Sequence, residues 1–367
     1  MNGNPLVRLG ALGQSPWYDY ITRELVTGGK LERLIRDDGL LGMTSNPTIF
    51  QKAVSGSSLY DRDIRNLTML GLPPKEIFEA IAVTDVQAAC DEFLPTYEQS
   101  NGRDGFVSLE VDPTLAHDTA GTITEARRLW GAVNRPNAMI KIPGTLAGLP
   151  AITRCLADGI NVNVTLLFAV SRYERVIDAF KTGLEDRVRR GLPVDRIASV
   201  ASFFVSRLDT MIDPLLDAKG LASLRGTAAI ANACDAYSVF EEARSTARWQ
   251  ALAGHGARMQ RPLWASTSTK DPRYPDGYYV EALIAPETVN TLPPATFDAY
   301  RDHGQPMVRI REGMAKAKGQ LQALREAGID LTEVTAQLER EGVDSFAKSY
   351  RELLGGIEAK AGELARR

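Results

Sequence analysis

Residues 137–145 read NAMIKIPGT, a short apolar run closed by Pro143-Gly144, with one lysine, Lys141, set between Ile140 and Ile142. Its length and turn-bounded end are those of a buried β-strand. Charge taken out of water needs a partner or loses its proton, and a neutral amine is a nucleophile toward carbonyls. A lysine that snorkels at a strand end, or that forms half of a structural ion pair, would leave the same trace. The flanking segments decide between these readings.

Seven further segments of the same kind surround it. Residues 12–21 (LGQSPWYDYI), 40–45 and 105–111 (GFVSLEV) precede it, and residues 160–168 (INVNVTLLF), 198–205, 261–266 and 287–291 follow. Helical stretches separate them, among them residues 74–99, 118–133, 170–190 and an alanine-rich run over 222–253. Eight strands alternating with helices predict a parallel sheet closed into a (β/α)8 barrel, a single domain over residues 1–367. The strongly helical residues 307–367 read as an extension packed on that barrel. A doubly wound sheet is the competing architecture, but no glycine-rich dinucleotide fingerprint follows the first strand.

Composition narrows the function classes. A chain of 367 residues, 44% hydrophobic and 24% charged, can bury a large core in the ordinary globular manner. A net charge of −3 offers neither a nucleic-acid footprint nor a polybasic membrane face. Phosphate ligands stay open, since a local pair of cations suffices for them. Cys90, Cys155 and Cys234 form no disulfide framework or zinc pattern, and His117, His255 and His303 are scattered, so no histidine-based metal site is expected. The N-terminal residues lack the basic and apolar parts of a leader, and no apolar run of about 18 residues occurs. A cytoplasmic protein is expected.

Read at period two, the strands gain a polar face. Asn137, Met139 and Lys141 share one side, Ser108 and Glu110 another, and Asn161, Asn163 and Thr165 a third. Ser202 and Phe204 oppose Ala201, Phe203 and Val205, and Trp264 with Ser266 opposes Leu263 and Ala265. The polar parity is expected to face the barrel interior. In the third to sixth strands a polar inward residue falls near the C-terminal end, where barrels of this type place their chemistry.

Lys141 is therefore a candidate Schiff-base nucleophile, with Glu110 and Asp19 as proton carriers. Asn46, Asn163, Thr165 and Ser202 supply neutral donors and acceptors suited to polyol hydroxyls. Arg207, just beyond the sixth strand, can hold a phosphate at the rim, where Ser266, Ser268 and Lys270 complete an anion pocket. Singly each of these is an ordinary cap or surface group; their joint placement carries the reading.

The motifs LGQSPWYDYI, GMTSNPTIFQKA, SLEVDP, IKIPGT, GINVNVTLLF, SVASFFVSRLDT, RPLWASTSTK and APETVNTLP stand in order from residue 12 to about residue 293. In this order they resemble the transaldolases, in particular the longer bacterial subgroup with a C-terminal helical extension. The resemblance implies transfer of a dihydroxyacetone unit between sugar phosphates of the pentose phosphate pathway through a lysine Schiff base, without cofactor or metal. It implies that Lys141 forms the Schiff base and that Asp19 takes the C4 hydroxyl proton as the C3–C4 bond breaks. Glu110, with Thr165 and a water, would relay protons to the carbinolamine. Asn46, Asn163 and Ser202 would hold the three-carbon fragment, with Phe204 lining its pocket, and Arg207 and Ser266 would grip the phosphate. Many relatives place an arginine two residues after the serine matching Ser266; here Ser268 stands there, and Lys270 offers the second cation as a point charge rather than a fork.

The sequence leaves two alternatives. One is an aldolase releasing free dihydroxyacetone, such as fructose 6-phosphate aldolase, whose close relatives carry glutamine and tyrosine where Glu110 and Phe204 stand and lack the long extension. The other is a noncatalytic barrel that binds sugar phosphates. The partners expected are sugar phosphates, with no nucleic acid or membrane. The C-terminal helices suggest either packing on the barrel or a homo-oligomer interface.

Overall fold

The computed structural model describes residues 3–365. Its strands are β1 (Gln14–Asp19), β2 (Gly42–Thr44), β3 (Phe106–Glu110), β4 (Ala138–Pro143), β5 (Val162–Leu167), β6 (Ser199–Phe204), β7 (Arg261–Ala265) and β8 (Thr288–Leu292). Each pairs in parallel with the next and β8 pairs with β1, which closes the expected (β/α)8 barrel. Every strand residue except Asp19 is buried. The reason is architectural: helices cover the outer face of each strand and the opposite strands cover the inner one.

Parallel pairing puts register partners on the same face. Glu110 pairs with Lys141, and Lys141 with Asn163, so these three polar residues sit side by side on neighbouring strands, facing inward. The interior also admits Trp17, because its partner on β2 is Gly42; a Cβ there would lie 2.5 Å from the indole.

On β7 the expected parity is reversed. Ser202 pairs with Leu263, Phe203 with Trp264 and Phe204 with Ala265. Leu263 and Ala265 therefore face inward, while Trp264 stands in the outer layer, edge-on to Phe203 and donating its indole N–H to Leu283 O at 3.0 Å. Ser266 still reaches the barrel mouth because its φ of 55° turns the chain at the strand end. The alanine-rich run is also not one helix. It breaks at Thr246, whose extended backbone ends Ala228–Ser245 and whose hydroxyl caps Ala247–Gly254.

The C-terminal segment forms two helices with different positions. Ile310–Glu326 lies along Ala228–Ser245, where Gly313 leaves room for the Cys234 sulfur. Leu331–Ala365 crosses the C-terminal mouth of the barrel, packing on Pro47–Ser55, Asp61–Met69 and the end of β5. It is pinned there by Glu339 to Arg172 (3.3 Å), Ser349 to Thr48 (2.8 Å) and Lys360 to Asp61 (2.7 Å). Among the described residues no helix is long and apolar enough to cross a membrane.

Candidate active site

A cavity of about 330 Å³ occupies the barrel mouth beneath the C-terminal helix. Lys141, near the end of β4, reaches its floor with a side chain only 5% exposed. The amine donates to Ser45 O at 3.0 Å and stands 3.4 Å from Glu110 Oε2. That separation is an ion-pair contact rather than a well-made hydrogen bond. Among the described residues neither Glu110 oxygen, nor the buried Thr165 hydroxyl, has a hydrogen-bond partner. Burial pushes the Glu110 pKa up to about 7, against the pull of the Lys141 charge. A carboxyl poised there exchanges protons readily near neutrality.

Asp19, at the end of β1, accepts a hydrogen bond from Thr44 Oγ1 at 2.8 Å, and Thr44 lies 2.6 Å from Thr291 Oγ1. Burial raises the Asp19 pKa, and Lys141, the Thr44 bond and Arg207 each draw it back. The two carboxyls thus both feel the charge of one amine, and burial raises the pKa of each against that pull.

The polyol-binding candidates divide. Ser202 lines the cavity while its hydroxyl donates to Asn163 Oδ1 at 2.7 Å. Asn163 donates in turn to Ser108 Oγ at 3.0 Å; it is fully buried and off the cavity wall, one layer beneath. Its amide positions Ser202 and does not face a ligand in this arrangement. Asn46 lines the cavity and caps Pro47–Ser55 by accepting from Ile49 N–H, and among the described residues its amide hydrogens have no partner. Glu110 likewise stands behind Lys141 rather than on the wall.

Arg207, Ser266, Ser268 and Lys270 gather at the rim. The Arg207 guanidinium lies 5.0 Å from the Phe204 ring centre, and Lys270 Nζ donates to Ser268 Oγ at 2.7 Å. Partial burial, together with the Arg207 charge, holds the Lys270 pKa below the usual lysine value. Two neighbouring cations with, among the described residues, no carboxylate within 4.0 Å form a ready anion pocket. Among the described residues no group of three or more His, Cys, Asp or Glu could hold a metal ion.

The family model described as Transaldolase/Fructose-6-phosphate aldolase matches residues 16–357. The chain is 52% identical to a protein named transaldolase from Acidothermus cellulolyticus, covering 99% of this chain and 98% of that protein. It is 50% identical to a transaldolase of Parafrankia sp. (98% and 99% covered) and 46% identical to a protein named transaldolase 2 of Nostoc sp. (97% of each). The chain belongs to this family.

The family's barrel mouth holds residues here that sequence reasoning passed over. Lys52, on the helix that Asn46 caps, lines the cavity as a fourth cation beside Lys141, Arg207 and Lys270; it lies inside the motif GMTSNPTIFQKA, where it reads as an ordinary helix-surface lysine. Thr44 and Thr291 orient Asp19, and their inward parity on β2 and β8 is the signal that could have found them. Phe346, from the C-terminal helix, covers the cavity with its ring centre 5.7 Å from Lys141 Nζ. No local pattern distinguishes it from any other buried phenylalanine.

Proposed function

We infer that this chain acts as a transaldolase, and propose Lys141 as its Schiff-base lysine. One observation supports this assignment above the others: the buried Lys141 amine sits on the cavity floor beside a carboxyl, Glu110, whose oxygens have no hydrogen-bond partner among the described residues. A buried polar group left this way calls for a partner from outside the protein, a water or a substrate group.

In the proposed cycle the Lys141 amine attacks the ketose carbonyl at C2. Glu110, with Thr165 and a water, delivers the proton with which the carbinolamine loses hydroxide as water. The protonated Schiff base that forms is an electron sink. Asp19 takes the C4 hydroxyl proton, the C3–C4 bond breaks, and the electron pair passes into the enamine as the aldose phosphate departs. The C3 carbon then attacks the acceptor aldehyde, Asp19 returns its proton to the new hydroxyl, and water releases the product ketose from Lys141. Asn46 and Ser202 hold the three-carbon unit. Arg207, Ser266 and Lys270 take the phosphate of donor and acceptor, fructose 6-phosphate or sedoheptulose 7-phosphate against glyceraldehyde 3-phosphate or erythrose 4-phosphate. Phe204 and Phe346 place hydrocarbon where a misplaced water would quench the enamine. Their lack of a hydroxyl favours transfer over release of dihydroxyacetone. The proposed setting is the cytoplasm.

The test is borohydride trapping with fructose 6-phosphate, with and without erythrose 4-phosphate, read by peptide mass spectrometry. A dihydroxyacetone-sized adduct on Lys141, depleted by the acceptor, is expected. No adduct on active protein would return the barrel to a noncovalent binding role, and an adduct on another lysine would overturn the site.

A further inference from the structure

A second cavity, of about 470 Å³, opens at the N-terminal end of the barrel, where β3, β6 and β7 begin. Its size is that of a small-molecule site, roughly 300–1,000 Å³. Part of its wall is apolar and comes from Phe106, Met139, Trp249 and Met259. The rest carries four arginines, Arg103, Arg244, Arg258 and Arg261, against one carboxylate, Glu287.

The four arginines are not equivalent. Arg261 is matched by Asp104 and Arg103 by Glu287, each at 2.8 Å. Among the described residues Arg258 has only the backbone carbonyl of Asn101, at 2.5 Å, and Arg244 only the face of Phe240, at 5.3 Å. Among the described residues neither has a carboxylate within 4.0 Å. Arg244 lies in the last turn of the helix Ala228–Ser245 and Arg258 in the loop entering β7, so two separate elements bring uncompensated charge to one cavity. The catalytic mouth has the same signature in Arg207 and Lys270.

We propose that this cavity binds a phosphate monoester with a flat apolar body, of the size of a nucleoside monophosphate. A monoester carries about −1.5 to −2 at neutral pH, which matches the two free guanidinium charges. Arginine forks suit phosphate oxygens, and aromatic and methionine side chains accommodate a flat ring. Inorganic phosphate would satisfy only the arginines, and a nucleoside only the apolar wall. The site is independent of the Schiff-base chemistry.

Isothermal titration of the whole protein with adenosine 5′-monophosphate, in saturating fructose 6-phosphate so that the mouth is filled, tests it. Adenosine and inorganic phosphate are the control ligands. The monophosphate is expected to bind at least about tenfold more tightly than either control. The Arg244→Glu/Arg258→Glu variant is expected to weaken it about a hundredfold, tenfold for each charge-assisted contact. Arg244→Gln, at an exposed position where folding is not at stake, should cost about tenfold alone. Absence of monophosphate binding, equal affinity for phosphate, or unchanged affinity in the Arg244→Gln variant would each overturn the proposal.

Discussion

The two ends of the barrel interior each bury a cation beside a carboxylate and treat the pair in opposite ways. At the N-terminal end Arg261 meets Asp104 at 2.8 Å, and its other donors go to Ser15 Oγ and Arg103 O. Asp104 also accepts from Ser15 and, at 3.4 Å, from the Trp17 indole. At the C-terminal end Lys141 and Glu110 stand 3.4 Å apart, and among the described residues Glu110 accepts no hydrogen bond. A buried charge pair contributes to the fold only when its remaining hydrogen-bonding capacity is met. The lower pair meets that condition. The upper one forgoes it, and the unmet capacity is what a substrate and its water can use.

The contrast breaks most visibly on activity. Lys141→Met should lower kcat by at least about 10³-fold, as removal of a nucleophile does, with thermal unfolding close to wild type. Near-normal turnover would mean that the upper pair is structural like the lower one. Arg261→Met should behave in reverse. It strands Asp104 in the interior at a cost of about 3–5 kcal/mol, measurable by urea unfolding, and Arg261→Met/Asp104→Leu should recover most of that. A loss below about 1 kcal/mol for the single variant would remove the lower pair from the fold's support.

Smaller effects sharpen the comparison. Arg207→Ala should raise KM about ten- to a hundredfold for phosphorylated sugars and much less for unphosphorylated donors; equal rises would place the phosphate elsewhere. Glu110 gives a signature in pH. Its pKa rises from 4.5 to about 7 on folding, so the native state keeps a proton that the unfolded chain gives up. The stability this group contributes is present below pH 4.5 and is lost as pH climbs through about 7. Glu110→Gln cannot lose it, so its unfolding free energy should gain on wild type by on the order of 2 kcal/mol between pH 5 and 8. A gap that stays constant would mean that Glu110 is not the strained group. The smallest effect expected is a several-fold rise in dihydroxyacetone released per unit transferred in Phe346→Ala, measured by coupled assay; an unchanged ratio would make Phe346 plain packing.

Legibility in the sequence follows the same divide between local and distant order. Lys141, Glu110, Thr165 and Ser202 could be put on inward faces because a β-strand alternates strictly, and their neighbours were apolar. On β7 the rule had nothing to grip. Leu263, Trp264 and Ala265 are apolar on both parities, and the left-handed backbone at Ser266 resets the alternation just where the site begins. Asn163 was legible as inward, but not as spent on Ser108 and Ser202, since that depends on partners from two other strands.

The sequence alone determined the barrel, its strand order and the residues offered to its mouth, because hydrophobic period and turn chemistry are written over a few neighbouring positions. Only the tertiary structure decided which of those residues reach the cavity, which pair is left unsatisfied, and that Phe346 closes over Lys141. The helical pattern of residues 331–365 requires one face to be buried without naming what buries it. That choice rests on contacts between segments far apart in the chain, such as Ser349 with Thr48 and Glu339 with Arg172, which no local period encodes.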